Sequence, residues 1–268
     1  MIAGGGERLL TYAVLGLGAL FCVFPLGELL WLAIQPDQVG DSGLTLANFG
    51  TAWTEGSFGT YLRNSVIVSV TVVVLATALS CLAGYAFGLM RFPGATALFY
   101  LLLVGLMVPN EAIVIPLFYT FSDLRLTDTY FAVIAPQVAQ SLAFGTFWMR
   151  AYFRSSSREI VEAARLDGAS HGRVLWSILV PMGRPAVFTM VLLIFMWTWN
   201  EFLLPLVMIS NESLRTAPLG LSAFQGQYTS GTALLSAAAV LVALPVLIVF
   251  LLTQRQFIKG MVEGSVKG

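Results

Sequence analysis

The residues of this chain that could do chemistry are few and scattered. His171 is the only histidine, and Cys22 and Cys81 are the only cysteines. No His, Cys, Asp or Glu cluster has metal-ligand spacing. No G-x-x-x-x-G-K-[ST] run occurs, so no phosphate-cradling loop is encoded. What remains falls into two groups. Glu111, Gln137, Gln140 and Asn200 are hydrogen-bonding side chains embedded in long apolar stretches. Beside Trp197, Trp199 and Phe202, such groups suit a neutral, hydroxylated solute, or bonding between helices. Glu162, Ala163, Ala164, Asp167, Gly168 and Ala169 lie instead in one polar stretch, where a helix and a turn could meet another protein.

The composition says what must position them. Of 268 residues, 57% are apolar and 10% charged, with 14 Lys+Arg against 14 Asp+Glu. Disordered chains need low hydrophobicity and high charge, and nucleic-acid binders need a basic excess, so both classes are excluded. Two cysteines do not make a disulfide scaffold, and nothing suggests that they pair. The mean hydropathy of +0.84 is that of a membrane protein.

A transmembrane helix needs about 20 mostly apolar residues. Six stretches qualify, at about 9–34, 64–90, 97–121, 129–150, 185–209 and 232–254. A β-barrel would show shorter, alternating segments. The first stretch is too long for a cleaved signal and lacks a small-residue cleavage site. With the N-terminus inside, the inner side holds Arg8, Arg91, Arg150, Arg154, Arg158, Arg165, Arg173, Arg184, Arg255, Lys259 and Lys267. The outer side holds only Arg63, Arg125 and Arg215. The positive-inside rule therefore predicts that both termini are cytoplasmic. An intramembrane serine protease fails on this geometry, because His171 falls inside and the Gly220-Leu221-Ser222 segment outside.

Glu111, Gln137, Gln140 and Asn200 fall near the middle or outer half of their spans, counting 1.5 Å per residue. Pro109, Pro116 and Pro136 are expected to bend the helices there and free backbone carbonyls. Glu28 and Glu201, near the outer interface, read as hydrated or paired. The outer connection at about 209–231 reads as a loop.

The connection at about 152–185 is longer than two helices need. Ser156-Ser157-Arg158-Glu159 reads as a capping box that opens a short helix. Gly168 suits that helix's left-handed C-terminus, and Ser170 can cap a second helix. Pro181 and Pro185 interrupt the second helix as it enters the fifth span. Two short helices meeting at a turn suit contact with a cytoplasmic partner, or an amphipathic connector on the membrane surface.

This loop reads E-A-A-x3-G-x9-I-x-V-P over residues 162–181. It resembles the signature loop of the inner-membrane permease subunits of binding-protein-dependent ATP-binding-cassette importers, E-A-A-x3-G-x9-I-x-L-P. Val180 replaces leucine. The local form EAARLDGAS is similar to the carbohydrate-uptake branch, specifically the maltose-type second permease. RFPG (91–94), VPNEAIVIPLFY (108–119), WNEFLLPLV (199–207) and the tail QRQFIKGMVEGSVKG (254–268) fit the same branch. The resemblance covers about residues 45–268.

The resemblance implies an all-α membrane protein with the type I importer permease fold. Six transmembrane helices would form a single permease domain over residues 1–268, in the cytoplasmic (inner) membrane of a prokaryote. It also implies that Glu162, Ala163, Ala164, Asp167, Gly168 and Ala169 form the coupling helix and turn that dock on a cytoplasmic ATPase. Gly260, Gly264, Lys267 and Gly268 match the tail ending that reaches between the ATPase subunits. The implied partners are a homologous second permease, two ATP-binding-cassette ATPase subunits and an external solute-binding protein. ATP and Mg would be bound by the ATPase subunits, leaving this chain without cofactor or covalent chemistry. Glu111, Gln137, Gln140 and Asn200 are the expected pathway residues. An ion- or proton-coupled secondary transporter using Glu111 is the alternative.

Overall fold

The computed structural model describes residues 5–36, 43–54, 56–156, 158–227 and 232–265. Every regular element among these residues is helical. The N-terminal elements are α1 (Gly5–Ala33), α2 (Ala47–Thr54), α3 (Phe58–Leu89), α4 (Ala95–Met107), α5 (Asn110–Asp123) and α6 (Tyr130–Ser155). Next come α7 (Arg158–Leu166), α8 (His171–Arg173), a π-helical turn (Val174–Leu179), α9 (Val180–Met182) and α10 (Arg184–Trp199). The remainder comprises α11 (Leu203–Met208), a 3-10 turn (Glu212–Leu214), α12 (Ala217–Gln227) and α13 (Thr232–Ser265). The outer connection expected as a loop at 209–231 thus carries α12 over much of its length, and residues 228–231 lie outside the described residues.

Each expected span contains helix, but the helices are less continuous than the hydropathy suggested. Among the described residues, Leu9–Ala33, Phe58–Leu89 and Thr232–Gln254 are long and apolar enough to cross a membrane. The count rises to 5 if two bent pairs are each taken as one span. The expected span 97–121 is two helices, α4 and α5, bent by 97°. Pro109 lies at the break in an extended conformation (φ −60°, ψ 134°), and its missing N–H cannot continue α4. Pro116 and Pro136 instead sit inside α5 and α6 without ending them. The expected span 185–209 is α10 followed, after a break at Asn200–Phe202, by the short α11. Pro185 occupies the first turn of α10, where no backbone donor is needed. Helix α6 has the length of a span, but Gln137, Gln140, Ser141 and Thr146 make it more polar than the three apolar helices.

The helices group into two compact units, 1–59 with 220–245 and 60–219 with 246–268. In the first, α1 is apolar and exposed over most of its length up to its C-terminal turn, as a helix facing lipid or another apolar partner would be. Its C-terminal carbonyls are closed by Asn48, whose side-chain amide donates to Ala33 O (2.9 Å) and Gln35 O (2.7 Å). Ala233, Leu234, Ala237 and Ala238 bury one face of α13.

In the second unit, α3 and α6 approach closely along a ladder of small residues. A β-carbon on Gly84 would stand 2.6 Å from Met149 Cβ, and one on Gly145 would stand 2.1 Å from Ser80 Oγ. One on Gly88 would stand 3.2 Å from Phe153 Cβ. Ser80, Gly84 and Gly88 recur every four residues, as do Gly145, Met149 and Phe153, so each set lies on one helix face. This is small-residue packing, in which backbones come together because nothing stands between them. Helices α4 and α10 pack on α6, and α11 packs on α5 and α6. Trp148 Nε1 donates to Ala186 O (2.9 Å). Arg150 Nε donates to Phe87 O (3.2 Å), with the guanidinium 3.9 Å from the Phe99 ring centroid.

The α3 end near residue 64 is tied to residues 210–217 by polar bonds. Asn64, 2% exposed, donates to Ser213 O and Arg215 O, both at 2.9 Å, and accepts from the Tyr130 hydroxyl at 2.7 Å. Ser65 Oγ accepts from Ala217 N (2.8 Å). Asp128 accepts from Ser210 N and Asn211 N. Asn64→Ala would leave two carbonyls and a hydroxyl without these bonds, at about 1–3 kcal/mol for each buried group left unsatisfied. The expected result is faster backbone hydrogen exchange over residues 210–217. Exchange unchanged there would show that Asn64 does not hold the segment.

Candidate functional site

The 152–185 connection forms the helix–turn–helix read from the sequence. Helix α7 ends in a Schellman turn. Ala169 N donates to Ala164 O (2.9 Å), Gly168 N donates to Arg165 O (3.0 Å), and Gly168 has φ +80°. A left-handed residue there costs an ordinary side chain about 1–2 kcal/mol, which glycine avoids. Ser170 caps the next helix, accepting from Arg173 N at 3.4 Å. The expected capping box at the start of α7 falls partly outside the described residues. Ser156 ends α6, its hydroxyl donating to Tyr152 O at 3.1 Å, and Ser157 lies outside the described residues.

Helix α7 has two faces. Ile160, Val161 and Ala164 turn inward, with Ala164 9% exposed in the core. Its small size allows α7 to sit against the π-helical turn. Glu162, Ala163, Asp167 and Gly168 are exposed, and Ala169 is half-buried against the core. Sequence reasoning missed Leu166, which is 89% exposed on the same short helix. The signal was present: Leu166 falls two residues after inward-facing Ala164, out of phase with the buried face.

Beyond α8 the chain passes through the π-helical turn into α9, which contains Pro181, and then bends by 84° into α10 at Gly183. Tyr152 packs at this joint. Its hydroxyl donates to Leu179 O (3.3 Å), and its ring leaves no room for a β-carbon on Gly183, which would stand 2.4 Å away. Burial pushes the Tyr152 hydroxyl above its ordinary value, against a smaller opposing effect of its hydrogen bond with Ser156, so it stays a donor.

The polar residues of the apolar helices meet at a cavity of about 1050 Å³ within the second unit. Asn110, Gln137, Gln140, Trp197, Asn200 and Glu201 line it, with Phe144 among the apolar lining. Gln140 Nε2 donates to Asn110 Oδ1 (2.7 Å), Gln137 Nε2 to Val133 O (3.0 Å), and Asn200 Nδ2 to Met196 O (2.8 Å). Three of the four expected pathway residues, Gln137, Gln140 and Asn200, thus come together. Glu111 does not: it is exposed in the first turn of α5 and lines neither this cavity nor the smaller one beside it. Asn110 and Glu201 join instead. Glu201 Oε1 accepts from Leu204 N (2.9 Å) at the start of α11, a paired carboxylate at the cavity wall. The break after Pro109 brings Asn110 here, and linear depth counting could not reveal that.

Of the expected tail residues, Gly260 and Gly264 lie on α13, while Lys267 and Gly268 lie outside the described residues.

The chain is similar to known proteins. The arabinooligosaccharides transport system permease protein AraQ of Halalkalibacterium halodurans is 34% identical over 261 residues, covering 93% of each chain. The trehalose transport system permease protein SugB of Mycobacterium tuberculosis is 29% identical over 275 residues, covering 98% of this chain and 100% of that one. The crystal structure of a bacterial ABC transporter involved in the import of the acidic polysaccharide alginate has a chain of the same fold. Its TM-score is 0.78 at 23% identity, covering 96% of this chain and 99% of that chain. Residues 76–262 match the family described as binding-protein-dependent transport system inner membrane component. The chain belongs to this family, the permease subunits of ABC transporters.

Proposed function

We propose that this chain is one of two permease subunits of an ATP-driven importer for a carbohydrate or related polyol. The observation that carries this reading is the Schellman turn at Gly168, set between a helix with an exposed Glu162–Ala163–Leu166 face and the capped α8. Helix α7 and its turn dock on a cytoplasmic ATPase subunit, and closure of the ATPase pair moves the attached membrane helices. Glu162 offers a carboxylate, Ala163 lets a partner approach closely, and Leu166 supplies an apolar anchor. Six spans with both termini in the cytoplasm fit the positive-inside bias, and the tail near Gly260 and Gly264 makes a second ATPase contact.

The cavity supports the solute class. Carboxamides of Asn110, Gln137, Gln140 and Asn200 can each donate and accept, which matches hydroxyl groups. Trp197 and Phe144 supply faces for the apolar side of a sugar ring. Glu201 is the charged side chain among its described lining residues, and its carboxylate would repel an anionic solute. A homologous second permease completes the pathway, and an external solute-binding protein delivers the solute.

The test is gentle-detergent affinity purification of the tagged chain from its native cell, with partners identified by mass. Recovery of an ATP-binding-cassette ATPase and a second permease supports the reading. Recovery of the chain alone, or only with itself, overturns it.

A further inference from the structure

The turn at Gly168 poses a mechanical question for the coupling just proposed. A glycine joint lets α7 swivel, and a push on α7 would then be absorbed before it reached a long helix. Three side chains oppose that swivel. Arg165 lies three residues before Gly168 and His171 three residues after it. A guanidinium nitrogen of Arg165 stands 2.9 Å from His171 Nδ1 and 3.0 Å from Nε2, so the pair bridges the turn. His171 also meets α3. The Tyr85 hydroxyl lies 2.9 Å from Nδ1, and the two rings meet edge to face with centroids 6.0 Å apart. Tyr85 is itself held: it is 5% exposed and meets Phe153 of α6 edge to face, with centroids 6.1 Å apart.

Hydrogen-bond chemistry sets what the imidazole must supply. Arginine only donates, so one imidazole nitrogen must accept. With the proton on Nε2, Nδ1 accepts from both the Tyr85 hydroxyl and Arg165; with the proton on Nδ1, that nitrogen donates to Tyr85 Oη while Nε2 accepts from Arg165. In either tautomer the ring links Arg165 to Tyr85. Lysine could not replace it, having no acceptor, and phenylalanine could make neither bond.

We propose that Tyr85, His171 and Arg165 form a strap that locks the turn at Gly168 to α3, so that α7 and α3 move as one piece. The three are positioning residues, and the inference deepens the coupling role proposed for α7. The backbone joint supplies the tight turn, and the strap supplies the stiffness that glycine withholds.

Hydrogen exchange, read by mass spectrometry on the full chain in nanodiscs together with whatever partners co-purify, tests this. His171→Ala and Tyr85→Phe should each speed exchange of the backbone amides of residues 158–168 by about tenfold. Residues 130–140 of α6 should be unchanged. His171→Gln, whose amide can still accept from Arg165 and donate to Tyr85, should restore most of the protection. The double variant Tyr85→Phe/His171→Ala should be no worse than His171→Ala, since both break one link. Unchanged exchange over 158–168 overturns the strap. So does an equal rise in 130–140, which would mark a merely structural role, and so does failure of His171→Gln to rescue. The comparison does not require the ATPase. If none co-purifies with the unaltered chain, the importer reading fails, while the exchange data still decide whether the strap exists.

Discussion

Gly168→Pro removes the ATPase subunit from the purified complex while the chain still inserts in the membrane. Proline fixes φ near −65°, whereas residue 168 sits at +80°. It also lacks the N–H that Gly168 donates to Arg165 O, so the Schellman turn cannot form. The chain leaves α7 in a different direction, and the exposed Glu162, Ala163 and Leu166 no longer face a common partner. Gly168→Ala separates conformation from bulk. A β-carbon at this position would meet nothing within 4 Å, so its only cost is the left-handed backbone, about 1–2 kcal/mol. Its expected effect is therefore intermediate, a weakening of ATPase retention by roughly fivefold to thirtyfold. Quantitative co-purification of the two variants with unaltered chain checks both. Equal retention in all three would mean that the turn does not place the docking face.

Gly84→Ala lowers the thermal stability of the purified chain by several degrees, and Gly84→Leu prevents its accumulation. The added carbon would stand 2.6 Å from Met149 Cβ and 3.0 Å from the backbone of Met149 and Arg150. Backbone cannot swing aside as a flexible side chain can, so α3 and α6 must separate along their length. Overpacking of this kind costs about 1–3 kcal/mol for one methyl group. Separation also weakens the neighbouring approach of Gly145 to Ser80. Gly16→Ala is the matched control. It lies on the exposed α1, where a β-carbon meets nothing within 4 Å, and alanine is the better helix former. Thermal unfolding in detergent reads the contrast. A Gly84→Ala variant as stable as Gly16→Ala would rule out close packing at this site.

The family and the helix–turn–helix at 158–173 were legible in the sequence because they depend on local chemistry. Glycine at a left-handed position, serine at a helix start and proline after a break act within a few residues, and their spacing survives in the linear text. The apolar stretches were legible for a similar reason, since lipid imposes its length requirement on each segment separately. Ser156 closes the end of α6, its hydroxyl donating to Tyr152 O, while Ser157, the other serine of the expected capping box, lies outside the described residues.

Tertiary structure decided what no local rule specifies. Pro109, Pro116 and Pro136 are chemically alike, yet Pro109 stands at a break between helices while the other two lie inside α5 and α6. That break draws Asn110 to Gln140 and leaves Glu111 off the cavity lining, which depth alone could not show. The bond between Tyr85 and His171 joins residues 86 positions apart. The sequence by itself determined the family, the helical class and the turn at Gly168, through short-range preferences and the hydrophobic length each segment needs. Only the folded chain decided which polar groups share a cavity and which hold α7 to α3, because those depend on distances between residues that sequence order keeps apart.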